Sequence, residues 1–131
     1  MCLEVAEMDF TTTLDRERKR FTIKSNCVLD ADRFDKFRAS IMSNLDGTEG
    51  WDLLIDHSES FPDDLDYRQM NVLTTNSKVF DTLKLRNFVA VVSEKHYGYG
   101  RMWEIMASNK MSCNTRVLKS IEEATRFLEN R

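Results

Sequence analysis

Short apolar segments alternate with longer amphipathic segments along most of this sequence. Residues 21–25, 53–56, 88–92 and 115–118 have the composition of strands, and a helical pattern follows each of them. Such alternation favours an α/β domain with a mainly parallel sheet, because each helix carries the chain back to the end where the next strand begins. The order of the segments therefore predicts the fold class, whereas no motif in the sequence specifies a reaction.

Two of the predicted strands lack the alternation of apolar and polar residues that is typical of a sheet with one solvated face. Residues 53–55 and 88–92 are continuously apolar. A strand that is covered by helices on both faces has this composition. We therefore predict that these two strands are central in the sheet.

The first predicted strand belongs to a hairpin. Met8, Phe10, Thr12 and Leu14 occupy alternate positions, and the same alternation resumes at Phe21 after a charged connector. Two alternating runs joined by a short polar segment predict an antiparallel pair. We therefore expect a mixed, mostly parallel sheet of about five strands with about four helices, in which this first strand alone is antiparallel.

Apolar residues also recur at helical spacing between the strands. Asp30 is a candidate N-cap of the first helix, and Ser120 with Glu123 forms a capping-box pattern at the start of the last. Residues 63–85 fit either one bent helix or two short ones, because a Thr-Thr-Asn-Ser stretch interrupts their apolar pattern. The predicted buried stripes are Phe34, Phe37, Ile41 and Leu45 in the first helix, Tyr99, Met102, Trp103 and Met106 in the helix after residue 92, and Ile121, Ala124, Phe127 and Leu128 in the last.

Length and charge exclude several classes of protein. The chain has 131 residues, which suits one domain spanning residues 1–131, with residues 1–7 as a candidate flexible tail. Its net charge is −3 and its charges are interspersed, so we do not expect nucleic acid as a partner. The longest apolar run, residues 88–92, is far shorter than the about 20 residues of a membrane span. The first residues do not resemble a secretory signal, so a cytoplasmic protein is expected.

Candidate catalytic groups follow the central strand that ends at Asp56. Asp56, His57 and Ser58 are the three residue types of a hydrolytic triad. Neighbours along a strand point to opposite faces, however, so consecutive residues cannot form a proton relay. We therefore predict that the chain is not an enzyme.

No metal site or cofactor is predicted. Asp63, Asp64 and Asp66 are more typical of the first turn of a helix, where carboxylates cap free N–H groups, than of a magnesium site. The cysteines are few and widely spaced, which predicts reduced thiols rather than disulfides or zinc ligands. They are Cys2, Cys27 and Cys113.

Four short motifs follow one another along nearly the whole chain. They are Cys27-Val28-Leu29-Asp30-Ala31, then Leu53-Leu54-Ile55-Asp56, then Val89-Ala90-Val91-Val92 with Tyr97-Gly98-Tyr99-Gly100-Arg101-Met102, and finally Arg116-Val117-Leu118 with Glu123-Ala124-Thr125-Arg126-Phe127-Leu128. In this order they resemble the SpoIIAA-like branch of the STAS superfamily, and in particular its uncharacterised bacterial members. That superfamily includes anti-sigma-factor antagonists and the C-terminal domains of sulphate transporters.

This resemblance implies a regulatory or protein-interaction module that is not an enzyme. Anti-sigma-factor antagonists carry an Asp-Ser-Ser-Gly-like element after the central strand, and a partner kinase phosphorylates one of its serines. Residues 61–66 read Phe-Pro-Asp-Asp-Leu-Asp, so the usual phosphoacceptor is missing, although Ser58 and Ser60 lie just upstream. The implied contact surface would face a protein partner or a second copy of the chain. It comprises His57, Ser58, Asp63, Asp64 and Asp66.

An alternative follows from the grouping of the uncharacterised members with lipid-carrier-like SEC14 folds. That grouping implies a binding protein for a small apolar or lipid-like ligand. Arg101 lies at the start of a predicted helix, where a helix N-terminus and a cation can hold an anion together. Trp103 fits either a ligand cavity or ordinary core packing. The candidate ligand or anion contacts are Tyr97, Tyr99, Arg101 and Trp103.

Overall fold

The computed structural model describes residues 10–26, 31–61 and 67–129, apart from the side chains of residues 31–33 and of Leu73. In these ranges the strands are β1 Phe10–Asp15, β2 Arg20–Ser25, β3 Asp52–Asp56, β4 Asn87–Val91 and β5 Asn114–Leu118. The α-helices are α1 Ala31–Leu45, α2 Tyr67–Ser77, α3 Tyr97–Ser108 and α4 Ile121–Glu129, with 3₁₀ helices at Lys78–Leu83 and Glu94–His96. The predicted tail at residues 1–7, the candidate cap Asp30, and Asp63, Asp64 and Asp66 lie outside the described residues.

The five strands form one sheet in the order in which they occur along the chain. β1 and β2 pair antiparallel, whereas β2, β3, β4 and β5 are parallel. Ile23, Ile55, Ala90 and Val117 form one row across the parallel part. The predicted α/β class, with a mixed and mostly parallel five-stranded sheet, is confirmed, and so is the antiparallel first strand.

The helices that connect the parallel strands pack on one face of the sheet. Each new strand is added at the same edge, and right-handed crossovers then place every connecting helix on the same side. α1 contributes Phe37, Ile41 and Leu45 to the core on this face, while α2 contributes Met70 and α3 contributes Trp103. The predicted stripe of α1 is therefore confirmed at these three positions.

The terminal helix α4 covers the opposite face of the sheet. Its Ala124 and Leu128 pack against Leu54 of β3 and against Val89 and Val91 of β4. Every residue of β3 and β4 is buried, because these strands have helices on both sides. The two continuously apolar segments are thus central strands, as predicted.

α4 begins with the predicted cap Ser120, but the return bond of the capping box goes to Lys119 instead of Ser120. The Ser120 hydroxyl accepts a hydrogen bond from the backbone N–H of Glu123 at 3.1 Å, and the Glu123 carboxylate accepts one from the N–H of Lys119 at 3.0 Å. The predicted buried stripe is wrong at Ile121, which is 39% exposed and lies outside the cluster that α4 forms with β3 and β4. Phe127 is only partly buried.

The segment between β3 and β4 contains an α-helix followed directly by a 3₁₀ helix. α2 ends at Ser77, and the 3₁₀ helix runs to Leu83. Near the end of α2, the Thr74 hydroxyl donates to the Asn71 carbonyl at 3.0 Å. Within residues 67–83 the helical pattern is confirmed as an α-helix and a 3₁₀ helix in direct succession, and residues 63–66 lie outside the described residues. Lys84 has a left-handed backbone, with φ of 54°, and ends the segment.

Candidate functional site

A cavity of about 80 Å³ lies between the sheet and the helices that cover its main core. Its floor is formed by four side chains in β3, β4 and β5 or just beyond them: Ile55, Ala90, Val92 and Val117. Phe80 of the 3₁₀ helix and Trp103 of α3 form part of its walls. Nearly all of the lining is apolar, and the exceptions are one imidazole and two serine hydroxyls.

The absence of a side chain at Gly100 shapes one wall of this cavity. A Cβ atom at Gly100 would lie 2.6 Å from Cγ1 of Val117 and 3.1 Å from Cγ2 of Val92, so α3 approaches the sheet more closely than any other residue would allow. Gly100, Trp103 and Ala107 form the buried stripe of α3. The predicted stripe is wrong at Met102, which is 37% exposed because it lies off this stripe.

The mouth of the cavity is aromatic. Phe34, His57 and Phe61 are the lining residues that retain partial exposure, whereas the others are buried. The His57 ring lies 5.9 Å from that of Phe37 and 6.4 Å from that of Phe61, measured between ring centres. Tyr99 packs on Phe61 with the ring centres 6.4 Å apart. These rings lie beyond the carboxyl ends of parallel strands, where open α/β sheets usually bind ligands.

His57 is held at the mouth by backbone hydrogen bonds. Its N–H donates to the Val91 carbonyl at 2.8 Å, and its carbonyl accepts from the N–H of Ser60 at 3.1 Å. Its Nδ1 lies 3.4 Å from the Ser60 hydroxyl. Burial lowers the pKa of His57 to about 4, and this effect outweighs the neighbouring Asp56 carboxylate, which raises the pKa. The imidazole is therefore neutral at pH 7.

The residue types of the triad do not converge. The Asp56 carboxylate accepts a hydrogen bond from the backbone N–H of Ser58 at 2.9 Å, while His57 pairs with Ser60 instead. Sequence reasoning missed this His57–Ser60 pair because it considered adjacent residues only. A histidine and a serine three positions apart would have indicated the pair. The same spacing brings Ser93 and His96 within 3.0 Å after β4.

The predicted ligand or anion contacts separate into two groups. Trp103 lines the cavity, and Tyr99 supports its mouth. Arg101 is exposed and forms a 2.8 Å ion pair with Glu104. The hydrogen bond to Tyr97 and the Glu104 charge raise the pKa of Arg101. The charge of Arg101 is therefore already compensated, and Arg101 belongs to the outer surface of α3. Tyr97 is partly buried against the main core but does not line the cavity.

The predicted interaction surface is described only in part. His57 lies at the mouth of the cavity, whereas Ser58 does not line it, and both residues are partly buried. Among the described side chains of α2, the helix after this loop, Tyr67 is 70% exposed and Val72 is 52% exposed. Asp63, Asp64 and Asp66 lie outside the described residues.

At the amino edge of the sheet, a polar cluster holds the starts of neighbouring strands together. The Asp52 carboxylate is buried and accepts hydrogen bonds from Nε of Arg86 at 3.1 Å and from Nη2 at 2.5 Å. The Asn87 amide donates a third at 2.9 Å. Arg20 pairs with Asp52 in the strand register, and its buried Nε has no hydrogen-bond partner among the described residues.

Within the part of the chain that the structure describes, no three His, Cys, Asp or Glu side chains converge as ligands of a metal ion. Cys113 is a free thiol, and burial raises its pKa to about 11. No helix among the described residues has both the length and the apolar character needed to cross a membrane.

Comparison with protein-family models finds none that matches this chain, and comparison with curated proteins finds no match either.

Proposed function

We propose that this domain binds a small, largely apolar ligand in the cavity at the carboxyl edge of its sheet. The observation that carries the proposal is the character of the cavity: an apolar lining with its few polar groups at His57, Ser60 and Ser77. Binding sites for small molecules typically combine an apolar pocket with a few well-placed polar groups. His57 adds a titratable group with a strongly shifted pKa, which is also typical of functional sites.

The size of the cavity limits what it can enclose. At about 80 Å³ it is smaller than the roughly 150 Å³ apolar cavity that admits benzene. We expect the cavity to enclose a group of about three or four non-hydrogen atoms, in proportion to its volume. A longer ligand would extend past Phe34 and Phe61 at the mouth.

Xenon tests this proposal, because it enters dry apolar cavities without needing a polar contact. Under xenon pressure, the NMR methyl signals of Val92 and Val117 should shift more than those of Val72, which lies on the surface. Ala90→Leu places three further carbon atoms in the cavity and should abolish these shifts. Ile105→Ala, on the exposed face of α3, should leave them unchanged. Equal shifts in the Ala90→Leu variant would contradict the proposal.

A second proposal keeps the STAS-like role, a cytoplasmic, non-enzymatic regulatory or protein-interaction module. The exposed Tyr67 and Val72 of α2 favour it, since they lie on the helix that follows the loop implied by the family resemblance. Tyr67→Ala should reduce binding to a partner that co-purifies with the native protein, or self-association measured by sedimentation. Ile105→Ala is the matched control, because Ile105 is also an exposed apolar residue. If both variants keep the same partner binding or self-association, α2 is not the contact surface.

This second proposal includes the absence of a phosphorylation switch. Ser60 is 2% exposed, so a kinase cannot reach it in the folded protein. Incubation with ATP and cell lysate should leave the intact mass of the chain unchanged. Stoichiometric addition of phosphate at Ser58 or Ser60 would show that the switch is retained.

A further inference from the structure

Of the three polar residues that line the cavity, His57 is the one that lies at its mouth and keeps partial exposure. Nδ1 of His57 faces the Ser60 hydroxyl at 3.4 Å, and Nε2 makes no hydrogen bond to any of the described residues. In a neutral imidazole one nitrogen is a donor and the other an acceptor. Nε2 can therefore bind a hydroxyl group in either tautomer.

The charges around this group disfavour an anion. No Lys or Arg side chain of the described residues lines the cavity, so a carboxylate there would have no cationic partner. The carboxylate of Asp56 precedes His57 and acts on its ring, and it would repel a second negative charge. Burial also keeps the imidazole uncharged at neutral pH. An ion without a partner is strongly disfavoured in such surroundings.

Apart from the buried Ser60 and Ser77, the interior of the cavity is apolar. Phe88 and Trp103 pack with their ring centres 5.2 Å apart and form an apolar wall. Ala90 and Val117 close the floor and offer no polar side-chain atom. A ligand that satisfies both ends must place its apolar part inward and its polar group at the mouth.

We propose that the ligand is an uncharged amphiphile, an alcohol, ester or amide whose short apolar end fills the cavity and whose polar group binds Nε2 of His57, and that carboxylates such as free fatty acids are excluded. This inference rests on the ligand-binding function proposed above. It assigns His57 as the residue that binds the polar group of the ligand.

The test compares 1-butanol with butyrate, which share a four-carbon skeleton and differ in charge at pH 7. Binding is measured by NMR titration of the unaltered chain, with xenon as the apolar reference. Butanol should bind at least about tenfold more tightly than butyrate, a difference typical of leaving one charge unpaired. His57→Phe keeps a ring beside Phe37 and Phe61 but removes the hydrogen bond. It should weaken butanol binding about fivefold and leave xenon binding unchanged.

The outcomes separate this inference from the function on which it rests. If neither xenon nor butanol binds the unaltered chain, the ligand-binding function itself is wrong. Xenon binding without butanol binding, or equal affinities for butanol and butyrate, would overturn the inference and leave the function standing. Full retention of butanol affinity by His57→Phe would overturn the role of His57. The butanol-to-butyrate ratio of the unaltered chain decides the question even if His57→Phe fails to fold.

Discussion

Asp52 and Arg86 form a two-point ion pair in which the carboxylate is completely buried. Asp52 begins β3, and Arg86 immediately precedes β4, so the pair joins the two central strands at the amino edge of the sheet. Both nitrogen atoms involved belong to the same guanidinium group, and this geometry suits an arginine rather than a lysine.

Removal of the guanidinium should therefore be strongly destabilising. Arg86→Met keeps much of the side-chain bulk but leaves the buried Asp52 charge without this partner, which should lower the free energy of unfolding by about 3 kcal/mol. Urea denaturation measures the change. Lys84→Met is the control, because it breaks an exposed pair with Glu49 and should change stability by less than about 0.5 kcal/mol. Equal losses in the two variants would contradict the structural role of the buried pair.

Gly100→Ala should destabilise the protein because the new methyl group would collide with Val117. The nearest contact is 2.6 Å, and overpacking of this kind typically costs about 1–3 kcal/mol. Gly98→Ala is a matched control in the same helix, since a Cβ atom there meets nothing within 4 Å. It should be neutral or stabilising by up to about 1 kcal/mol.

A double-mutant cycle identifies the cause of the Gly100 effect. A Val117→Ala background removes the closest contact and leaves Cγ2 of Val92 at 3.1 Å, so Gly100→Ala should cost less than it does in the unaltered chain. If Gly100→Ala lowers stability equally in both backgrounds, the contact with Val117 is not the cause of the effect.

His57 should make the protein less stable at acid pH. The pKa of His57 is lowered from 6.5 to about 4 in the folded protein, so between these values the unfolded chain binds a proton that the folded chain does not. The resulting loss of folding stability is absent above pH 6.5 and grows as the pH falls. It is complete below about pH 4, where it reaches at most about 3 kcal/mol. Urea midpoints measured between pH 7 and pH 4 should fall less steeply for His57→Gln than for the unaltered chain. Equal slopes would mean that the imidazole is not desolvated by folding.

Leu128 and Phe127 should respond differently to truncation, although they are neighbours on α4. Leu128 is fully buried under the sheet, so Leu128→Ala should cost about 2–5 kcal/mol. Phe127 is partly buried, and the Arg116 guanidinium lies 5.2 Å from its ring centre. Phe127→Ala should therefore cost only about 1 kcal/mol. If urea denaturation shows a larger loss of stability for Phe127→Ala than for Leu128→Ala, then α4 is rotated about its axis.

The fold was predictable because its signals are local. Continuous apolar segments indicate strands with helices on both faces, and the bonds at Ser120 and Glu123 join residues a few positions apart. The exposure of individual helical side chains was harder to predict. Met102 and Ile121 have the spacing of a buried stripe, but the side of a helix that contacts the sheet depends on the partner strands. At α3 that side was set by the close approach of Gly100, which is a tertiary property.

The cavity was not predictable for a related reason. Its lining runs from Phe34 to Val117, and the void exists because these distant side chains fail to fill the space between them. Trp103 and Tyr99 were identified as candidate contacts, but Phe61 and Ser60 were not, because nothing in their local sequence distinguishes them from an ordinary loop. His57 was identified for its neighbours Asp56 and Ser58, whereas its shifted pKa results from burial.

The order of the strands also has a consequence for biosynthesis. Because the sheet is built from β1 to β5 in the order of translation, a ribosome that has released the chain only through residue 92 presents Ala90 and Val92 without the strand that follows. Val117 is the last residue of the cavity to be synthesised, and no shorter nascent chain can enclose it. The ligand-binding capacity proposed above therefore requires β5, and a nascent chain that ends before Val117 lacks it.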